Sequence, residues 1–389
     1  MGVWHNIRAV ILRELRIWIR RPVYIAGSLA AILFSTVFYI TLLRDGLPSD
    51  LPIGVVDCDN SSLTRNFIRQ LDATQLGRVI RYDSFEDARE DLQKGKVNAV
   101  CVLPEHMYAD VTAGRRPTFT FYINGLYFVG GALAYKDILT MINLTSGAVS
   151  RENLRARGKS DREIMGTIRP INIDTHQIGN VTTNYGVYLA NIILPGILEM
   201  IVILVLIYSL GSELKYGTSR HLLRTADGSV SVALLGKLAL YTLYFCSIGL
   251  TMILLLYRWL DYPLAGSIWA MFLDIVMLVL ASEAVAILIV GLIPVCRFSM
   301  SIGALYSVMG LSMAGFTMPV EMMPSCIQGL AEIFPLRHYY LFFVQEAQFG
   351  AGFAGWWPEL THLMIFLLLP FTVLVRLKKA YIYQNYPKN

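Results

Sequence analysis

The stretch "GVYLANIILPGILEMIVILVLIYSL", residues 186–210, carries one charged side chain, Glu199, in an otherwise apolar run. As helix it is long enough to cross a hydrocarbon core of about 30 Å, which takes about 20 apolar residues. Five further blocks read the same way: Pro22 to Leu43, Ser231 to Tyr257, Ser267 to Ile293, Met300 to Met318 and Leu360 to Leu377. The whole chain agrees, with 55% hydrophobic and 16% charged residues where a soluble domain carries roughly a quarter charged. The sequence therefore predicts a polytopic α-helical membrane protein with six transmembrane helices. The first block is too long for the apolar core of a cleavable signal and has no small-residue cleavage pattern after it, so it is expected to remain as an anchor.

Basic residues resist translocation, so the flanks rich in Lys and Arg mark the cytoplasmic side. Arg8, Arg13, Arg16, Arg20 and Arg21 precede the first span; Lys215, Arg220 and Arg224 join spans two and three; Arg297 follows span four; Arg376, Lys378, Lys379 and Lys388 close the chain. The alternate flanks hold only Arg44, Arg258 and Arg337. Both termini are expected in the cytoplasm and residues 44–185 outside. Topology accounts for the net charge of +5, which gives no sign of nucleic-acid binding.

Residues 44–185 form a water-soluble insertion large enough for its own core. Short apolar or β-branched runs, "PIGVVD" (52–57), "GRVIRY" (77–82), "NAVCVLP" (98–104) and "TFTFYI" (118–123), alternate with helix-like stretches. That alternation predicts an α/β extracytoplasmic domain with a mostly parallel sheet. Ser84 and Asp87 form a candidate capping box for a helix that stops at Gly95. Longer helices, about Leu126 to Arg157 and Asp161 to Thr167, lead back to the membrane. Cys58 and Cys101 fall within or just after neighbouring strands, and are either a candidate disulfide or two small buried side chains.

Catalytic motifs are lacking in the sequence. "RGKS" (157–160) has the end of a phosphate-binding loop, but Asn153 stands where its leading glycine belongs. The six histidines show no ligand spacing, so no metal site or bound cofactor is expected. The ionisable groups within the spans say more, because a charge at the bilayer centre costs at least about 3 kcal/mol and faces a partner or a watery path. Glu199 lies midway along span two, Asp274 and Glu283 in span four. Nine positions apart, the last two sit on opposite helix faces, so one can line a path while the other holds a neighbour. Ser299, Gly303 and Ser307, at four-residue spacing in span five, favour close helix packing.

Between spans two and three lies "ELKYGTSRHLL" (213–223). With span two ended by Gly211 and Ser212, residues 213–224 are expected to form a short amphipathic helix capped by Ser212. Here the chain resembles the permease subunits of the ABC-2 family of ATP-driven exporters, in the branch with a large extracytoplasmic domain after the first span. Glu213, Gly217, Thr218, Leu222, Leu223, Gly236 and Lys237 fit the family's cytoplasmic pattern. Gly315, Pro319, Met323, Pro324, Pro335 and Tyr339 fit its outer signature, in "GFTMPVEMMPSCIQGLAEIFPLRHYY" (315–340). The start of the insertion, "PIGVVDCDNSSLTRNFIRQL", is similar as well, so the resemblance covers nearly the whole length.

The resemblance implies residues 1–21 as an amphipathic connecting helix along the inner surface, 213–224 as a coupling helix, 315–345 as an outer re-entrant segment and 378–389 as a cytoplasmic tail. It implies Glu213, Tyr216, Gly217, Thr218 and Arg220 as ATPase-coupling residues and Gly315, Pro319, Pro324 and Pro335 as the outer gate; Glu199, Asp274 and Glu283, singled out by the cost of a charge in the bilayer, are either path residues or protonated or hydrogen-bonded packing groups. ATP and Mg would bind a separate cytoplasmic ATPase subunit, since this chain has no ATPase signature. A second permease copy or paralogue would complete the path in the lipid bilayer of the bacterial inner membrane, with a periplasmic adaptor as a further partner. An amphipathic or hydrophobic substrate suits such a path. A membrane-anchored scaffold or sensor, whose outside domain binds an envelope ligand, is the competing class.

Overall fold

The computed structural model describes residues 2–46, 49–74, 77–126, 128–168, 174, 176, 178–181 and 183–383. They divide into two compact units, Met1–Gly46 with Gln177–Asn389, and Leu47–His176.

The first unit opens with α1 (Val3–Arg20) and α2 (Val23–Leu42). In α1 the buried positions are Asn6, Val10 and Glu14, a four-residue stripe along one face, with arginines on the others. α2 begins directly after Pro22, whose fixed φ suits a helix start.

The second unit holds β1 (Leu51–Asp57), α3 (Ser62–Asp72), β2 (Gly77–Tyr82), α4 (Phe85–Gln93), β3 (Ala99–Leu103), α5 (Met107–Thr112), β4 (Thr120–Ile123), α6 (Phe128–Ala156) and α7 (Asp161–Ile168). Strand order is β2-β1-β3-β4, with the first three parallel and β4 antiparallel to β3. Alternating residues of β1 and β3 feed two cores: Ile53, Val55, Ala99 and Cys101 pack with Phe67, Leu71 and Ile138 on one face, while Val56 and Val100 pack with Ala88 on the other. Ser84 caps α4, accepting from the Asp87 amide at 3.2 Å and donating to the Asp87 carboxylate at 2.9 Å. Cys58 and Cys101 carry free thiols, and the candidate disulfide is not formed. Val55 lies opposite Cys101 in the parallel ladder, so Cys58 stands three residues further on. That offset is roughly 10 Å at about 3.3 Å per residue, beyond the ~7 Å that a disulfide spans.

Back in the first unit come α8 (Tyr185–Lys215), α9 (Ser219–Thr225), α10 (Val230–Leu254), α11 (Ile268–Leu292), α12 (Cys296–Met313), α13 (Ser325–Ala331), α14 (Pro335–Phe343), α15 (Gly352–Phe366) and α16 (Leu369–Tyr383). Among the described residues, five stretches are long and apolar enough to span a membrane: Ile25–Leu42, Tyr185–Lys215, Val230–Trp259, Ile268–Leu292 and Gly352–Tyr383. This is a polytopic α-helical membrane protein. The expected fifth span starts four residues earlier than its apolar run, at Cys296, and takes in Arg297 and several serines, which lower its hydropathy below that of the five. α8 and α11 are buried over most of their length and form the centre, whereas α2 is exposed along most of its surface.

α8 corrects the expected break at Gly211. The helix runs on through Glu213 to Lys215, and at 31 residues reaches about 46 Å, longer than a hydrocarbon core. Ser212 caps nothing, because its hydroxyl donates back to the Ser209 carbonyl at 3.0 Å. The short helix that follows is α9, starting six residues later than expected. The last span, Gly352–Tyr383, is interrupted at residues 367–368. Pro370 has no amide to give the Phe366 carbonyl, and the helix parts into α15 and α16 there. Small residues set the spacing elsewhere: a Cβ on Gly303 of α12 would stand 2.5 Å from Ile207 of α8.

Candidate functional site

At the end of the bundle where α1 lies, three helices bring four charges together out of solvent. Glu213 comes from the last turn of α8, Lys237 from the second turn of α10, and Arg13 with Glu14 from α1. Lys237 Nζ lies 2.8 Å from Glu14 Oε2 and 3.0 Å from Glu213 Oε1. Arg13 grips Glu213 with both terminal nitrogens, each at 2.8 Å, a fork-on-carboxylate geometry that lysine cannot make. The Thr218 hydroxyl donates to Glu213 Oε2 at 2.5 Å, and the Tyr241 hydroxyl to Glu14 Oε1 at 2.9 Å. Glu14 is 0% exposed and Lys237 and Glu213 each 2%, so the pairs compete with little water. Two carboxylates meet two cations and the cluster is neutral, the condition under which such charges can be buried.

The cluster can assemble because α1 approaches α10 closely. A Cβ on Gly236 would lie 2.7 Å from Val10 Cβ and 3.0 Å from the Ile7 carbonyl oxygen. Only a hydrogen at that position leaves room for α1, which then delivers Glu14 to the neighbouring Lys237.

The turn beyond Glu213 is tied down as well. Gly217 has φ +69°, a left-handed conformation that glycine adopts without strain. Ser219 donates to the Tyr381 carbonyl at 2.9 Å and Arg220 Nε to that of Ile382 at 2.9 Å, fastening α9 to α16. The Arg13 Nε contacts His221 Nδ1 at 3.3 Å. Tyr216 is half exposed, with the Arg21 guanidinium 5.0 Å from its ring centroid. Of the five residues expected on a docking face, Tyr216, Gly217, Thr218 and Arg220 are exposed while Glu213 is turned inward.

The intramembrane carboxyls do not converge on one path. Glu283 on α11 accepts from Thr242 of α10 at 2.7 Å and borders an open, largely apolar cleft of about 290 Å³ between α10, α11 and α16. Glu199 on α8 and Asp274 on α11 are buried, and neither oxygen of either has a hydrogen-bond partner among the described residues. Towards the other end of the bundle, Gly315 turns with φ +94°, Pro319 precedes a 3-10 turn at Val320–Met322, Pro324 precedes α13 and Pro335 opens α14. Each proline thus starts a short helical piece, where its missing amide costs no hydrogen bond.

The structure also gathers residues that sequence spacing kept apart. His338 of α14 meets Glu359 and His362 of α15, their ligand atoms all within 4.8 Å of one another. Arg13 enters the sequence reading only as a basic flank residue, and Glu14 does not enter it. A signal for Glu14 was present: it is the one acid among the first 21 residues, and it falls on the stripe with Asn6 and Val10.

Comparison with known proteins decides the family. The model of the ABC-2 family transporter protein matches residues 22–376. The chain belongs to the ABC-2 family. It is 23% identical over 367 residues to the inner membrane transport permease YhhJ of Escherichia coli (strain K12), covering 91% of this chain and 93% of that protein. It matches YhhJ of Shigella flexneri to the same extent. The chain is therefore an ABC-2 type membrane permease subunit, and the buried cluster and the exposed turn beside it are features of such a permease.

Proposed function

We propose that this ABC-2 permease is the membrane half of an ATP-driven exporter, with α12 as its sixth span, both termini cytoplasmic and the Leu47–His176 unit an α/β domain outside the inner membrane. A separate ATPase subunit holds ATP and Mg and grips the exposed turn and α9, with Tyr216, Gly217, Thr218 and Arg220 on the contact face. A second copy or paralogue completes the path. The apolar cleft beside Glu283 supports an amphipathic substrate.

One observation carries the coupling role: the exposed turn is bound through Glu213 to α1 and α10, and through Ser219 and Arg220 to α16. A push on that turn is passed to three helices at once. Glu213 is then a positioning residue that holds the coupling element, not a contact made with the ATPase. The outer prolines 319, 324 and 335, with Gly315, form the gate at the far end of the path.

The test is purification in mild detergent from the native host, followed by ATPase assay and reconstitution. An ATPase subunit should come with the wild type. Gly217→Trp should weaken or uncouple it, because the added ring meets the exposed face and φ +69° disfavours any side chain, with circular dichroism checking that the permease stays folded. Nucleotide hydrolysis that moves no solute, or co-purification of an envelope protein without an ATPase, would sink the exporter reading in favour of a scaffold.

A further inference from the structure

His338 is 1% exposed and has three acceptors around it, the Glu332 carboxylate among them with Oε2 3.7 Å from Nε2. Its Nε2 lies 3.1 Å from the Glu332 carbonyl oxygen and its Nδ1 2.8 Å from Glu359 Oε2. A neutral imidazole has one N–H. With Nε2–H donating to the carbonyl, Nδ1 presents a lone pair towards a carboxylate oxygen, which repels it unless a positive charge lies between them.

Glu359 has no lysine or arginine partner among the described residues. Arg337, next in sequence to His338, is directed instead to Glu332, with Nε 3.1 Å from Oε1. What stands beside Glu359 is a second imidazole. His362 follows it by three positions, on the same face of α15, with Nδ1 3.9 Å from Glu359 Oε2. The two histidine rings stack at 4.6 Å and 10°. A simple His–Glu ion pair needs no second imidazole, and two imidazolium rings so close would repel each other.

We propose that His338, Glu359 and His362 form a binding site for a divalent transition-metal ion of the zinc type. Two imidazoles and one carboxylate are a donor set suited to such an ion, with water as a fourth ligand. The hydrogen bond from His338 Nε2–H to the Glu332 carbonyl is the outer contact that fixes which nitrogen faces the metal. Around zinc, ligand atoms at about 2.0–2.2 Å from the ion stand roughly 3.3–3.5 Å apart in a tetrahedral set. The His338–Glu359 distance must open slightly and the His362–Glu359 distance close slightly. His362 is 44% exposed at its side chain and has to turn to aim Nδ1 at the ion, giving up its parallel stack on His338 and the 2.8 Å contact between its Nδ1 and the Pro358 carbonyl oxygen.

The ion would tie α14 to α15 across the turn at Val344–Gln348 that joins them. It would stiffen the segment that begins at Pro335, whether or not the chain exports anything. The site is therefore independent of the exporter reading.

The test uses the full chain, purified in detergent, stripped with a chelator and titrated with zinc chloride by calorimetry, with bound zinc counted by elemental analysis. One zinc per chain is expected, unaffected by excess magnesium, with a rise in thermal unfolding temperature. His362→Ala and Glu359→Gln should each weaken binding by at least tenfold. His362→Ala removes a half-exposed side chain, so its fold is expected to survive, and circular dichroism checks it. Absence of saturable uptake by the folded wild type would overturn the site, as would zinc binding left unchanged by His362→Ala and Glu359→Gln. Stability that varies with pH but not with zinc would make the cluster a proton-bound pair instead.

Discussion

Replacing Lys237 by Met tests the buried cluster most directly. Methionine keeps the length and most of the apolar stem of lysine, so packing changes little, but contacts of 2.8 Å to Glu14 and 3.0 Å to Glu213 are lost. Arg13 is left to serve two carboxylates, 2.8 Å from Glu213 but 3.8 Å from Glu14. Glu14, with 0% exposure, then keeps only hydroxyl donors at close range, Tyr241 at 2.9 Å and Ser209 at 3.4 Å. An uncompensated buried charge of this kind costs about 3–5 kcal/mol. Glu14→Gln alone leaves the opposite imbalance, one cation too many, at a similar cost. The double variant is neutral again and keeps the bidentate Arg13–Glu213 pair. It should therefore be more stable than the sum of the single losses by about 2–3 kcal/mol, near the upper end of coupling between contacting residues. The assay is denaturant unfolding in detergent of wild type, both single variants and the double. A local readout comes from a cysteine at Val10, fully buried in the wild type, whose maleimide labelling should accelerate in Lys237→Met as α1 lifts from α10. The electrostatic account is refuted if Lys237→Met costs under about 1 kcal/mol, or if the two losses simply add.

The remaining expectations test packing, topology and the Leu47–His176 unit. Gly236→Ala should destabilise by about 1–3 kcal/mol through overpacking against Val10, whereas Gly166→Ala, with open space around its Cβ, should cause no loss in the same unfolding assay. In intact spheroplasts an impermeant maleimide should label Cys58 and Cys326, both exposed; labelling of neither, with labelling on cell lysis, would invert the proposed orientation. Cys101 should stay unlabelled in the folded chain, since burial pushes its thiol up to about 12 and denies the reagent access. Tyr82, pushed up to about 12 by burial and by its hydrogen bond to Asp91, binds its proton more tightly folded than unfolded. Its contribution is complete below about pH 10 and is lost as pH rises towards 12, so the stability difference between wild type and Tyr82→Phe should shrink over that window. Asp91 is held below the usual carboxylate range by Lys96 first and Tyr82 next, so its contribution is lost as pH falls below about 4.

How far the sequence could be read follows from which forces act locally. The spans at 186–210 and 267–293 were legible because a run of more than twenty residues with only one or two charges among apolar side chains has one solvent. The β2 run "GRVIRY" was legible because β-branched residues and flanking turns act over a few positions. The end of α8 was misjudged for a reason of the same kind. Gly211 and Ser212 are weak helix formers by local preference, yet the helix continues because Gly211 lies against Cys296, where a Cβ would be only 2.9 Å away, and because Glu213 gains two cations by staying helical. Tertiary contacts outweigh a propensity cost of about 1 kcal/mol. The Cys58–Cys101 pair failed on register, which depends on how two strands align and is not written in either one.

The buried cluster shows the limit most clearly. Glu213 and Lys237 were visible as motif positions, but a motif names a residue without naming its partner. Arg13 and Glu14 lie 195 or more positions away from the partners they meet in other helices, and nothing in their own neighbourhood predicts the encounter. What a sequence can offer is the anomaly: an acid on the buried stripe of a basic helix must be neutralised by something, and a lysine entering an apolar span must be as well. Two such unpaid charges at the same end of one bundle are best satisfied by each other. The same reasoning applies to Glu199 and Asp274, which are buried and have no hydrogen-bond partner among the described residues. If that logic holds for them as it does for Glu14 and Lys237, what satisfies them comes from outside this chain, as water, a substrate or a second subunit. Glu199→Gln and Asp274→Asn should then leave the stability of the isolated chain within about 1 kcal/mol of wild type while altering transport in the assembled transporter. A large loss of stability in the isolated chain, with transport unaffected, would show that these two carboxyls only hold the bundle together.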